Sequence, residues 1–194
     1  MAYPLTIFLS SFLLFLVQPL IARIILPWFG GSASVWTTCM LFFQILLLAG
    51  YGYAHLLSTR VPPRTQKLVH LGLLAVSLAT MPIVPSESWK PVGSEEPVLH
   101  ILLLLSATVG LPYFLLASTS PLVQVWFSRS FPQGTVYRLF ALSNFGSLLA
   151  LVCYPFLIEP WVATAHQARG WSVAYAGFAL LCIASAFYSL RSEE

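Results

Sequence analysis

Two amide side chains stand inside long apolar runs of this chain, and they are its first candidates for chemistry. Gln44 lies near the middle of one run and Asn144 lies near the middle of another. An amide both donates and accepts hydrogen bonds, and a polar group at membrane depth is a functional candidate by default. Two interpretations stay open for each residue: a place in a solute pathway, or a hydrogen bond that holds two helices together.

Further candidates surround the prolines that interrupt two of the apolar runs. Proline removes a backbone donor and leaves a carbonyl without its helical partner. The hydroxyl-rich step before Pro121 therefore predicts a break in the helix there. The released backbone groups either line a cavity or are satisfied by the neighbouring hydroxyls. The candidates at these two prolines are Gln18, Ser118, Thr119, Ser120 and Gln124.

Arg23 is the one cation that falls within an apolar run, about one turn from its end. One interpretation is that its long side chain reaches the lipid headgroups. The alternative pairs it with Glu159, which also lies at a helix end on the same expected side. Such a pair could form an outer gate or an entrance that selects anions.

The sequence contains none of the patterns that indicate an enzyme or a bound cofactor. Cys39, Cys153 and Cys182 fall inside apolar runs without C-x-x-C spacing, which is typical of small buried side chains rather than of a metal site. No phosphate-binding loop, nucleophile elbow or haem-binding pair is present, and the chain has no Asp. We therefore expect no catalysis, no metal and no cofactor.

The composition indicates which environment must hold these side chains. Hydrophobic residues make up 58% of the 194 residues and charged residues only 8%, against about 25% charged in a soluble domain. Lipid must therefore cover much of the surface, and the bilayer is the expected first partner. The net charge of +3 forms no basic stripe, so the sequence does not predict nucleic-acid binding.

A helix needs about 20 apolar residues to cross the hydrocarbon core, and six stretches of the chain are suitable. Backbone groups in lipid must be satisfied within the segment, so runs this long are helices. We predict an all-α integral membrane protein, a single domain over residues 1–194 with six spans. The predicted spans are 3–26, 34–57, 67–84, 97–127, 137–158 and 171–190.

Orientation follows from the positions of Lys and Arg, which concentrate in cytoplasmic loops. With the N-terminus inside, only Lys90 and Arg169 face outward, and an even number of spans returns the C-terminus to the cytoplasm. The pattern predicts a multi-pass membrane protein. The residues that then face the cytoplasm are Arg60, Arg64, Lys67, Arg129, Arg138 and Arg191.

The two halves of the chain show a weak internal similarity. Pro19-Leu20-Ile21 in the first span resembles Pro121-Leu122-Val123 in the fourth. Each is followed by a glycine and a hydroxyl residue, and then by a polar amide in the next span. A three-span unit repeated once must invert its orientation, and inverted repeats with proline-interrupted helices are a transporter feature. A 3+3 inverted repeat is one interpretation, and chance similarity between apolar segments is the other.

Four ordered blocks carry a more specific resemblance. They are QPL at 18–20 with GGSASVW at 30–36, FFQ at 42–44 with GYGYAH at 50–55, STSPLVQ at 118–124, and YRLFALSNFGSLL at 137–149 followed by YP at 154–155 and EP at 159–160. Together they resemble the membrane portion of bacterial fused major-facilitator and spermidine-synthase-like proteins. The resemblance implies a six-helix bundle like one half of a major-facilitator fold, and the bacterial inner membrane as its location. Family members often carry a soluble aminopropyltransferase-like domain after the last helix, whereas this sequence ends at Arg191-Ser192-Glu193-Glu194, so no enzymatic activity is carried over.

Three functional hypotheses follow. The first is a transporter-like half-carrier that needs a second copy or a partner half. The second is a non-catalytic accessory or scaffolding subunit, which would make other membrane subunits its partners. The third is a membrane anchor for a soluble spermidine-synthase-like protein. A polar cavity at membrane depth distinguishes the first from the second, because a carrier requires it and a scaffold does not.

Overall fold

The computed structural model describes residues 2–91 and 96–192, without the side chains of the last two. Within these ranges the chain forms helices and no β-strand, which confirms the prediction of an all-helical protein. Four charged groups lie outside this description: Glu95, Glu193, Glu194 and the side chain of Arg191, which was predicted to face the cytoplasm.

Six long helices follow one another in up-and-down order. In chain order they are α1 (Ala2–Phe29), α2 (Ala33–Arg60), α3 (Pro63–Leu78), α4 (Pro97–Ser130), α5 (Val136–Ile158) and α6 (Thr164–Ser192). Five of them, all except α3, are long and apolar enough to cross a membrane. Arg60, Arg64 and Arg129 lie at one end of the bundle, which we call the basic end.

The prediction of a helix over 67–84 was wrong at both ends. The helix α3 begins at Pro63, because proline is well suited to the first helical position. It stops at Leu78, since residues before a proline avoid the helical conformation and Pro82 follows closely. The sixteen residues of α3 rise roughly 24 Å. The chain after it has no regular structure until a short 3-10 helix at Glu87–Trp89, and the Ile83 amide donates to the Ser172 hydroxyl of α6 at 3.4 Å.

The sixth helix begins at Thr164, seven residues before the predicted span. Its first turns carry polar side chains, which a count of apolar residues leaves out. Their backbone is nevertheless helical, and the amides of His166 and Gln167 both bond to the carbonyl of Ala163. The polar start of α6 therefore extends the helix beyond its apolar part.

The predicted break at Pro121 is absent, and α4 continues to Ser130. The hydroxyls of Ser118 and Thr119 both donate to the carbonyl of Leu115, at 3.0 and 2.6 Å. Both bonds go to Leu115, whereas the carbonyl that Pro121 leaves without its helical partner is that of Ala117. The irregular part of α4 lies earlier, where Ser106–Gly110 forms a π-helical turn just before Pro112.

A second π-helical turn, Tyr154–Ile158, ends α5 and contains Pro155. The amide of Glu159 bonds to the carbonyl of Tyr154 at 2.8 Å, which is the five-residue spacing of a π-helix. Proline lacks the amide that would continue an α-helical ladder. The wider turn therefore accompanies a proline here, as it does in α4.

The core lies around α1 and α4, which contact each other at the centre of the bundle. Helix α1 packs mainly against α5 and α6, and α4 packs mainly against α2. Val17, Ile21, Leu105 and Leu116 are fully or almost fully buried there. By contrast, α2 and α5 expose large apolar side chains along much of their length, as expected of helices that face lipid.

Candidate functional site

A groove runs along one face of α1 between α2 and α5. The α1 residues that line it recur every three or four positions, which places them on one side of the helix. They are Ser11, Leu14, Phe15, Gln18, Pro19, Ala22, Arg23, Leu26 and Pro27. Two cavities occupy this groove, one in its half nearer the basic end and one in the opposite half.

The polar cavity, nearer the basic end, has a volume of about 350 Å³. Helices α1, α2, α4 and α5 line it. Its polar side chains are Ser11, Tyr51, Ser120, Gln124, Ser143, Asn144 and Ser147, and its apolar ones include Leu14, Phe15, Leu116 and Phe140. It therefore brings three of the sequence candidates together: Ser120, Gln124 and Asn144.

Hydrogen bonds connect α1, α4 and α5 within the polar cavity. The hydroxyl oxygens of Ser11 and Ser143 are 2.6 Å apart, and those of Ser143 and Ser120 are 3.2 Å apart. The Gln124 amide donates to the Ser120 hydroxyl at 3.3 Å. The Ser11 hydroxyl donates to the carbonyl of Ile7 at 2.9 Å. Ser143 therefore donates to Ser11, and Ser120 donates to Ser143.

Asn144 and Ser147 form the α5 side of the polar cavity. The Ser147 hydroxyl donates to the carbonyl of Ser143 one turn earlier, at 3.0 Å. Asn144 is exposed, although it lies in the middle of an apolar helix. Its amide is therefore positioned to meet whatever enters the groove.

The second cavity, which we call the apolar cavity, has a volume of about 660 Å³. Leu26, Met40, Phe43 and Leu151 are among its lining residues. Gln18 adds an amide at its wall and donates to the Tyr113 hydroxyl at 3.2 Å. This part of the groove thus offers an apolar surface with few polar groups.

Arg23 and Glu159 meet at the far end of the apolar cavity. The guanidinium lies 3.5 Å from the Glu159 carboxylate and donates to the Glu159 carbonyl at 2.9 Å. Their side chains are 37% and 44% exposed. The pair joins α1 to the end of α5 and places both charges at the rim of the groove.

Gln44, a candidate from the sequence, lies outside both cavities. It is exposed and follows the lining residue Met40 by one turn of α2. A close approach at Gly50 determines the rotation of α2, since a Cβ there would lie 2.7 Å from Ala117 of α4. With α2 packed in this way, Gln44 is exposed and lines neither cavity.

Ser118 and Thr119 also lie away from the groove, buried between helices. Thr119 faces α3, where its hydroxyl is 3.1 Å from Nε2 of the fully buried His70. The rings of Tyr53 and Trp126 lie about 6 Å from the His70 ring. Of the three hydroxyl residues before Pro121, only Ser120 lines the polar cavity.

Sequence reasoning missed four polar residues of the cavity: Ser11, Tyr51, Ser143 and Ser147. Serine is common in membrane helices, so none of them attracts notice alone. A signal was nevertheless present in α5, because Phe140, Ser143, Asn144 and Ser147 recur with helical spacing. A search for polar groups on the same face as Asn144 would have found two of the serines.

The residues that line the groove are assigned from the structure itself. Comparisons of this chain with known protein families, with curated proteins and with solved structures find no significant match.

Proposed function

We propose that this chain is one half of a membrane carrier, with the solute pathway along the groove of α1. The observation that carries the proposal is the polar cavity. Four serines, two amides and a tyrosine open there from helices that are otherwise apolar. Polar side chains at membrane depth face a cavity or a partner rather than lipid, because an unsatisfied polar group in hydrocarbon is costly.

The two halves of the chain support the inverted repeat that such carriers contain. The amide of Gln66, in α3, donates to the carbonyl of Val61 at 2.6 Å, next to the end of α2. The amide of Gln167, in α6, donates to the carbonyl of Val162 at 2.7 Å, just after α5. The third helix of each half therefore caps its second helix with the same amide.

Two arginines are related in the same way. Arg129 of α4 donates to the carbonyl of Ser58 in the last turn of α2, at 3.0 Å. Arg23 of α1 donates to the carbonyl of Glu159 directly after α5, at 2.9 Å. In each case the first helix of one half reaches the end of the second helix of the other half. This is the relationship expected of a two-fold axis in the membrane plane.

The closest helix crossings follow the same exchange between halves. A Cβ at Gly50 of α2 would meet Ala117 of α4, and a Cβ at Gly146 of α5 would meet the carbonyl of Phe8 of α1 at 2.9 Å. Small residues allow such approaches in membrane bundles. The pairs α2–α4 and α1–α5 leave the groove of α1 open between α2 and α5.

A second copy in the same membrane is the partner that we propose for the open groove. A two-fold axis along the membrane normal, in front of the groove, would place α5 of one copy opposite α2 of the other. The two polar cavities would then face each other and enclose a shared pathway. We place both chain ends of this dimer in the cytoplasm, following the basic residues, and the dimer itself in the bacterial inner membrane, following the sequence resemblance.

Cysteine cross-linking in native membranes tests this arrangement. Cys39, Cys153 and Cys182 are first replaced by Ala, and cysteines are then introduced at Met40 of α2 and Leu151 of α5, which both line the groove. A matched control pair at Val76 of α3 and Val173 of α6 lies on exposed positions of other helices. We expect cross-linked dimers from the groove pair and monomers from the control pair.

Other results would contradict the half-carrier. Equal cross-linking of both pairs would exclude a dimer that covers the groove. Migration of the gently extracted protein within a large defined complex would instead make it an accessory or scaffolding subunit. Co-migration with a single soluble spermidine-synthase-like protein would make it an anchor. Proteoliposomes that contain the dimer yet take up no neutral, cationic or anionic solute would also contradict the proposal.

A further inference from the structure

The polar cavity holds only uncharged side chains. Its hydrogen-bonding groups are four serine hydroxyls, two side-chain amides and one tyrosine hydroxyl. The nearest charged residue along α5 is Arg138, six positions before Asn144, or roughly 9 Å of helix rise. The charged lining residues of the groove, Arg23 and Glu159, belong to the apolar cavity and pair with each other.

This distribution determines which solutes the cavity can hold. A charged solute that leaves water needs an opposite charge or several strong hydrogen bonds, and without them its desolvation costs several kcal/mol. The polar cavity supplies no opposite charge. A neutral solute has no such cost as long as its polar groups find partners, and hydroxyls and amides serve both its donors and its acceptors.

The apolar part of the lining adds a second requirement. Phe15, Tyr51 and Phe140 contribute aromatic rings to the same cavity as the serines and amides. A ring of carbon atoms with hydroxyls at its edge offers apolar faces to such rings and hydrogen-bonding groups to the surrounding hydroxyls. The cavity volume of about 350 Å³ lies within the range of small-molecule sites, before a second copy adds its own.

We propose that the polar cavity binds a small neutral polyhydroxylated ring, such as a monosaccharide, and discriminates against charged solutes. The inference rests on the proposed carrier function and specifies its substrate class. Asn144 is the residue that we expect to contribute most to recognition. It is exposed to the groove, whereas Ser11, Ser120 and Ser143 already bond to one another.

Three probes with the same ring but different charge test this inference. Glucose is neutral, glucosamine is cationic in mildly acidic buffer, and glucuronate is anionic. Binding of each to the full-length protein in lipid nanodiscs is measured by titration calorimetry. We expect glucose to bind and each charged probe to bind at least about tenfold more weakly, since roughly 1.4 kcal/mol of uncompensated desolvation produces that ratio.

Three variants locate the effect. Asn144→Leu should weaken glucose binding by about tenfold or more, because it leaves solute hydroxyls without a partner. Gln44→Leu removes the matched amide outside both cavities and should leave binding unchanged. Asn144→Asp keeps the shape but adds a negative charge, so it should bind glucosamine more tightly than the unaltered protein does.

Each contrary outcome has a distinct meaning. If the unaltered protein prefers a charged probe, the inference of a neutral substrate is overturned, whereas the carrier proposal stands. If Gln44→Leu weakens binding as much as Asn144→Leu, the polar cavity is not the site. If no probe binds and the groove pair yields no cross-linked dimer, both the inference and the proposed function fail.

Discussion

Gln66 and Gln167 donate equivalent hydrogen bonds at opposite ends of the bundle, but only the oxygen of Gln66 accepts one from a described residue. Both side-chain amides donate to a backbone carbonyl five residues earlier in the chain. The oxygen of Gln66 also accepts from the guanidinium of Arg129 at 3.1 Å, whereas the oxygen of Gln167 is buried without a hydrogen-bond partner among the described residues. The two ends of the bundle are therefore held with unequal strength.

This difference predicts that Gln66→Leu destabilises the protein more than Gln167→Leu. The first substitution removes a bond to a charged group as well as a backbone cap, and hydrogen bonds to charged groups contribute about 1.5–3 kcal/mol. The second removes the cap alone, worth about 1 kcal/mol, and also removes the unpartnered oxygen. Unfolding in detergent by increasing SDS measures both. Equal losses would show that Arg129 contributes little through Gln66.

A substitution at the α2–α4 crossing should be far more costly than one two residues away. A Cβ at Gly50 would lie 2.7 Å from Ala117 Cβ and 3.1 Å from the Phe114 carbonyl, while a Cβ at Gly52 would contact nothing within 4 Å. Gly50→Ala should therefore cost about 1–3 kcal/mol through overpacking. Gly52→Ala should be neutral or slightly stabilising, because Ala favours the helix. Thermal unfolding in detergent compares the two.

Replacing Thr119 alone should destabilise the protein more than replacing Thr119 and His70 together. Thr119→Val leaves Nε2 of His70 without its partner, and His70 Nδ1 already has no partner among the described residues. A buried unsatisfied nitrogen costs about 1–3 kcal/mol. Adding His70→Leu removes the unsatisfied group, so the double variant should be more stable than Thr119→Val alone. A double variant less stable than either single one would contradict this explanation.

The ion pair of Arg23 and Glu159 should contribute only modestly to stability. Both side chains are more than one-third exposed, and pairs of this kind are worth about 0.2–1 kcal/mol. A double-mutant cycle with Arg23→Gln and Glu159→Gln measures the coupling. We expect it to shrink as salt is added, since exposed charges are screened. A negligible coupling beside a clear loss for Arg23→Gln alone would show that the carbonyl bond, rather than the carboxylate, joins the two helices.

The number of helices and their approximate positions could be predicted from the sequence, because runs of apolar residues have one stable conformation in lipid. Their ends were harder to predict. The helix α6 begins with polar residues that an apolar count excludes, and α3 stops early because of a downstream proline. Pro121 was expected to break α4, but the helix continues through it to Ser130.

The candidate site could be predicted only in part, for a different reason. The residue type indicates that a side chain is polar, but the packing of neighbouring helices determines the direction in which it points. Gln44 and Asn144 looked equivalent in sequence, yet only Asn144 lines a cavity. Likewise, Ser120 faces the groove while the adjacent Thr119 faces His70. A rotation of one helix by a single residue, about 100°, would exchange such assignments.

The π-helical turn at the end of α5 determines how this helix would respond to the loss of one residue. Such a turn spans one residue more than an α-helical turn, and Glu159 comes directly after it. Deleting one residue within Tyr154–Ile158 would restore ordinary helical spacing and leave the following carboxylate close to its present direction, because the wide turn already absorbs the extra residue. Asn144 and Ser147 precede the turn and would keep their places. The wide turn thus accommodates one residue more in α5 without separating Arg23 from Glu159.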